Sequence, residues 1–105
     1  MIQNARPLEP LLPELSEICR EYGVVRLWVF GSAAKGRLKP DSDLDFALEF
    51  GPAPGSMGLL EQFFGLQRRL EHLFGRSIDL IEWSAVKNPF FRREVERTRK
   101  ELFAA

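Results

Sequence analysis

Leu11, Leu15, Ile18 and Tyr22 recur at spacings of four, three and four, one face of a helix, with Pro10 and Pro13 marking its start and Gly23 its stop. Val24 to Phe30 (VVRLWVF) is an apolar, β-branched and aromatic run broken only by Arg26, the pattern of a strand buried on both faces. Gly31 to Gly36 (GSAAKG) holds small residues suited to a short helical turn, with Ser32 as its N-cap. Beyond the basic, proline-containing stretch Arg37 to Pro40, residues Asp43 to Phe50 alternate. Leu44, Phe46, Leu48 and Phe50 fall on one side, and Asp43, Asp45, Ala47 and Glu49 on the other, which predicts a strand with one apolar and one acidic face.

Gly51 to Gly55 (GPAPG) reads as a loop, and Ser56 is placed to cap a helix whose core side is Leu59, Phe63, Leu66, Leu70 and Phe74, ended by Gly75. Ser77 to Trp83 (SIDLIEW) predicts a third strand. After the break at Asn88 and Pro89, residues 90–102 place Phe91, Val95, Thr98 and Leu102 on one helical stripe, with most of the basic residues off it. The predicted order is α-β-α-β-α-β-α, an α+β arrangement in which helices flank a small three-stranded sheet.

Composition narrows what such a fold can do. The chain has 105 residues, 45% of them hydrophobic, which fits a single domain over residues 1–105 with one modest core. Fifteen basic and fifteen acidic side chains cancel, which excludes a protein that coats nucleic acid through excess positive charge. Any phosphate chemistry must therefore be local. Cys19 is alone, so no intramolecular disulfide forms; it reads as a small buried hydrophobe in a reducing compartment. Met1 to Leu15 has three prolines, two acidic residues and no apolar run of leader type, and no stretch approaches the ~18 apolar residues that span a bilayer. A cytoplasmic protein without membrane attachment is expected.

Two phosphate and metal motifs nearly fit and fail. Gly31 to Gly36 has the glycine spacing of a P-loop, but Arg37 and Leu38 stand where Lys and Ser or Thr must follow. Asp41, Asp43 and Asp45 match calcium-loop positions one, three and five, but Phe46 replaces the required Gly and Pro52 the bidentate Glu. What remains is Asp43 and Asp45 on one strand face, with Cα atoms about 6.5–7 Å apart. A solvated polar strand face explains such a pair taken alone. Its neighbours add weight: Gly31-Ser32 at a strand end offers close approach and N–H donors for an anion, and Asp79 is the one charge within Ile78 to Ile81. If the two acidic strands pair, a third carboxylate joins the cluster, giving a phosphate cradle beside a carboxylate metal site.

Gly31-Ser32, ten residues, then Asp43-Leu44-Asp45 resembles the G-S-x10-D-x-D signature of the polymerase-β-like nucleotidyltransferase superfamily. The context GSAAKGRLKPDSDLDFALEF, with the later stretches GSMGLLEQFFGLQRRLEHLFGRSIDLIEW and NPFFRREVERTRKEL, is similar to its minimal (MNT) branch, antitoxins encoded beside HEPN-domain toxins. The resemblance runs from about residue 20 to the C-terminus. It implies the minimal polymerase-β-like fold with a mixed sheet. It also implies ATP as substrate, held at its triphosphate by Gly31 and Ser32 with charge from Lys35 and Arg37, and two Mg²⁺ ions on Asp43, Asp45 and Asp79. Asp79 would stand near the attacking hydroxyl. The implied activity is transfer of AMP to a hydroxyl, a tyrosine, of a partner HEPN toxin in a type VII-like toxin-antitoxin pair, within a hetero-oligomer. Two rivals share the chain: a binding module that neutralises a toxin by covering it, and the catalytic subunit of a split small-molecule nucleotidyltransferase.

Other residues have plainer readings. Lys35, Arg37 and Lys39 can embrace a phosphate tail or simply form a solvated basic loop. Glu49 sits at a strand end, and His72, with no second His, suits a helix C-terminus rather than catalysis. Trp28 and Trp83 are expected in the core, with stacking on adenine the lesser alternative.

Overall fold

Prolines in the first turn fix where the chain enters its first helix: Pro10 stands in a 3₁₀ turn over Glu9–Leu11 and Pro13 near the start of helix α1, Leu12–Glu21. The computed structural model describes residues 8–37, 39 and 41–105. Residues 1–7 of the expected leaderless start, and Leu38 and Pro40 of the basic stretch, lie outside the described residues. Leu11, Leu15, Ile18 and Tyr22 are buried as the spacing predicts, Cys19 is buried beside them, and strand β1 follows over Val24–Phe30. Its first turns are more open than a strand buried on both faces, since Val25 and Arg26 are exposed.

Strand β2 (Leu44–Phe50) runs antiparallel to β1, and β3 (Ile78–Glu82) runs parallel to β2. A parallel pair needs a crossover, which helix α2 (Leu66–Phe74) provides. A π-helical turn, Glu61–Gly65, leads directly into it. That turn corrects the predicted stripe. Leu66, Leu70 and Phe74 are buried, but Leu59 is 79% exposed and Gln62 is buried in its place. The extra residue of a π turn rotates everything N-terminal to it off the 3.6-residue register. Ser56 caps nothing here, because the helical bonds begin with Gln62 N–H donating to the Gly58 carbonyl.

The largest correction concerns the end of the chain. Helix α3 spans Pro89–Thr98, capped by the Asn88 side chain, which accepts from the Phe90 and Phe91 N–H groups. Arg99 then turns extended, and Lys100–Ala104 forms a fourth strand, β4, antiparallel to β1. The sheet is therefore four-stranded and mixed, in the order β3-β2-β1-β4, rather than three-stranded. Leu102 belongs to this strand and not to a helical stripe. The α+β class stands.

The two sheet faces bury different cores. Leu27, Val29, Leu44, Phe46, Leu48, Ile78, Leu80 and Phe103 pack with the buried residues of α1 and α2. On the opposite face a smaller cluster joins Trp28, Ala47, Trp83 and Val95, so both tryptophans are core residues. The alternation of β2 thus holds, but its acidic side is split. Ala47 is fully buried within this second cluster, while Asp43 is exposed and Asp45 half-buried at the strand's open end.

Candidate active site

Strand pairing decides which carboxylates meet. Asp45 is the direct partner of Phe30 across the antiparallel pair and of Asp79 across the parallel one. Asp43 precedes Asp45 by one pleat, so the three aspartates share one face at the C-terminal end of β1 and the N-terminal ends of β2 and β3. Their charges act on one another. Partial burial, then Asp79, then Asp43, raise the Asp45 carboxyl above the ordinary carboxylate range.

Gly31 closes β1 with φ +72°, and a Cβ at this position would overlap the Asp45 Oδ2 atom. Glycine is required here twice, for the left-handed backbone and for the close passage of the carboxylate. The following residues form a single turn rather than a helix. Lys35 N–H reaches the Gly31 and Ser32 carbonyls, Gly36 N–H donates to Ala33 O at 3.2 Å, and Arg37 N–H to Ser32 O at 2.8 Å. The last two bonds, with Gly36 at φ +70°, are the closing pattern of a Schellman motif. Ala34 is buried against the main core and Ala33 packs on it, so the turn is anchored by its small apolar side chains. The N–H groups of Ser32, Ala33 and Ala34 take no part in its internal bonds. Among the described residues they have no backbone acceptor, which suits an anion.

The basic residues of the region divide. Arg37 is exposed beside the turn. Lys35 Nζ lies 3.6 Å from Glu94 Oε2 on α3. Arg76, which the sequence pattern did not single out, holds the loop before β2: its Nη1 donates to Lys39 O at 3.0 Å and Ser42 O at 2.9 Å. Lys39 N–H also donates to Ser42 Oγ. Arg76 thus positions the segment that delivers Asp43. It follows Gly75 in a turn, where no periodicity marks a role; the only signal was its place just ahead of an acidic strand. Phe30 and Phe91 meet edge to face at 5.9 Å, setting the first turns of α3 beside the end of β1.

Among the described residues no group of three or more His, Cys, Asp or Glu side chains is drawn together tightly enough to hold a metal ion outright. The donor set nonetheless fits a hard dication: all three side chains offer carboxylate oxygens, and the repulsion from Asp79 and Asp43, which adds to partial burial in raising Asp45, is what such an ion would relieve. Two concavities among the described residues lie away from the aspartates. One of about 410 Å³ is lined by Glu14, Glu17, Ile18, Arg20, Glu21 and Arg69, and another of about 300 Å³ by Phe50, Gly51, Leu59, Gln62, Phe63 and Glu82. Glu49 is half-buried at the far end of β2, and His72 is exposed on α2. Neither joins the aspartates. No helix of the described residues is long and apolar enough to cross a membrane.

Comparison with known proteins agrees with this geometry. The family model of the nucleotidyltransferase domain matches residues 12–102. Protein adenylyltransferase MntA of Thermococcus cleftensis is 36% identical over 72 residues, 69% of this chain and 69% of that protein. A solved structure classed as a minimal nucleotidyltransferase superposes with a TM-score of 0.72 at 30% identity, over 89% of this chain and 90% of the other. A chain of the complex between the tri-AMPylated HEPN toxin of Shewanella oneidensis and its MNT antitoxin superposes with a TM-score of 0.64 over 94% of this chain and 74% of its own. Identity there is 15%, so that likeness is one of fold. With the Gly-Ser turn, the paired acidic strands and a family match across nearly the whole described chain, the protein belongs to the nucleotidyltransferase family, in its minimal, MntA-like branch.

Proposed function

We propose that this chain is a Mg²⁺-dependent adenylyltransferase that moves AMP from ATP to a tyrosine hydroxyl of a HEPN-type toxin and so acts as the antitoxin of the pair. The observation that carries this reading is the alignment of Asp43, Asp45 and Asp79 on one open face beside the Gly31-Ser32 turn. Its support on the partner side is the MntA relative and the fold shared with the AMPylated HEPN complex. The lone, buried Cys19 suits a reducing, cytoplasmic setting.

In this mechanism the Ser32 hydroxyl and the open N–H groups of Ser32, Ala33 and Ala34 donate to triphosphate oxygens, and Lys35 and Arg37 add positive charge. Asp43, Asp45 and Asp79 would hold Mg²⁺, two ions by the family pattern, whose chemistry is to neutralise phosphate charge and lower the pKa of the acceptor hydroxyl. Asp79 helps take the hydroxyl proton at a carboxylate oxygen. The acceptor oxygen bonds to the α-phosphorus as the bond to pyrophosphate breaks. Because the face is open, the acceptor protein itself supplies the missing wall.

The test is label transfer from α-labelled ATP to a HEPN-domain toxin co-expressed with this chain. Asp43→Asn with Asp45→Asn is expected to reduce transfer by at least about a hundredfold; transfer that persists in the double variant would sink the mechanism. A second reading, neutralisation by covering the toxin, is favoured by Phe90, 76% exposed, and Phe91 at the start of α3. A double variant that binds the toxin normally yet no longer neutralises it would exclude covering as the mode of action.

A further inference from the structure

Lys35 carries the one side-chain charge of the Gly31–Gly36 turn, and that charge is already engaged. Its Nζ sits 3.6 Å from Glu94 Oε2, a contact between the turn and a helix that enters the chain far later. Glu94 is itself gripped from its own helix: Arg97 Nη2 donates to both carboxylate oxygens, at 2.7 and 2.9 Å. Those bonds, Arg97 first and Lys35 after it, hold the Glu94 carboxyl below the ordinary range, so it stays ionised through neutral pH. The edge-to-face contact of Phe30 with Phe91, one turn before Glu94, keeps this part of α3 against the end of β1. Lys35 and Glu94 are both about half exposed, which makes their attraction weak and easily exchanged. A triphosphate carries several negative charges against one on Glu94, and a weakly held Lys35 will pass to it.

We propose that Glu94 is a positioning residue of the nucleotide site: it parks Lys35 on α3 in the free protein, surrenders it to the triphosphate, and thereby competes with nucleotide and sets its affinity. This rests on the reading of the Gly31-Ser32 turn as the triphosphate site.

The experiment measures binding of α,β-methylene-ATP with Mg²⁺ by calorimetry to the full chain and to Glu94→Gln, Lys35→Met, the double variant, and Glu96→Gln. Glu96 is an exposed acid of the same helix that serves as a control for bulk charge. Glu94→Gln is expected to tighten binding by about two- to fivefold, an effect that shrinks with added salt. Lys35→Met is expected to weaken it, and Glu94→Gln to change nothing in the Lys35→Met background. An unchanged or weaker Glu94→Gln, an equal gain without Lys35, or an equal gain from Glu96→Gln overturns the role of Glu94 while leaving the nucleotide site intact. Absence of binding by the unmodified chain overturns the nucleotide reading and this one with it.

Discussion

Asp45 is the residue on which burial, strand pairing and charge converge. Within the fold its protonated form is favoured relative to the unfolded chain, because partial burial and the charges of Asp79 and Asp43 oppose ionisation. The penalty is absent in acid, sets in as pH rises from the ordinary carboxylate range through the raised value, and is complete above it. Asp45→Asn should therefore abolish AMP transfer yet raise Tm at neutral pH, by up to about 4 °C, with no gain in acid below the usual carboxylate pKa. Scanning calorimetry at the two pH values checks both arms, and an Asn variant that melts lower at neutral pH would contradict the assignment. The three aspartates and Gly31-Ser32 were legible in the sequence because strand alternation and spacing fix their side and end of the sheet. The pairing of Lys35 with Glu94 was not, since it joins a turn to a helix that only the folded chain brings near.

Elements were legible wherever one periodicity ran unbroken, as in α1, β2 and the second half of the crossover helix. Where two periods meet, the reading failed. The π turn at Glu61–Gly65 buries Gln62, whose Nε2 donates to Tyr22 O at 2.9 Å, and leaves Leu59 outside. At the end of the chain the spacing predicts a helical stripe through Leu102, yet Arg99 breaks out at ψ 151°. The free edge of β1 supplies the reason, since it gains a ladder partner from β4 in the pairs Leu27 with Phe103 and Val29 with Lys100. A bulge at Leu102 of β4, opposite the step from Leu27 to Trp28, spoils the alternation that would have announced this strand. Phe103 is its buried anchor, 5% exposed in the main core. Phe103→Ala should cost about 3–5 kcal/mol in denaturant unfolding, whereas a solvent-facing helical tail would lose almost nothing.

At the scale of the molecule, zero net charge conceals a division of labour between sheet faces. The leucine-rich face under α1 and α2 carries most of the buried apolar surface, and Cys19 lies within it with its thiol pushed up to about 12 by burial. The tryptophan face under α3 is small, with Arg92 and Arg99 lying over the Trp83 and Trp28 rings at 4.2 Å. We propose that both faces belong to one cooperative unit. Tryptophan fluorescence and Cys19 thiol labelling report opposite sides of the sheet, and their denaturant transitions should coincide. Loss of the fluorescence signal before Cys19 becomes reactive would show that α3 and its cluster melt separately.

The in-register pairing of Asp45 with Asp79 has one more consequence. Shifting β3 along β2 by a single residue would exchange its two faces, driving Asp79 among the leucines and setting Ile78 and Leu80 in water. The apolar residues thus act as a proofreader for the acid between them: a one-residue slip that would carry Asp79 off the Asp45 face also takes Ile78 and Leu80 out of the core.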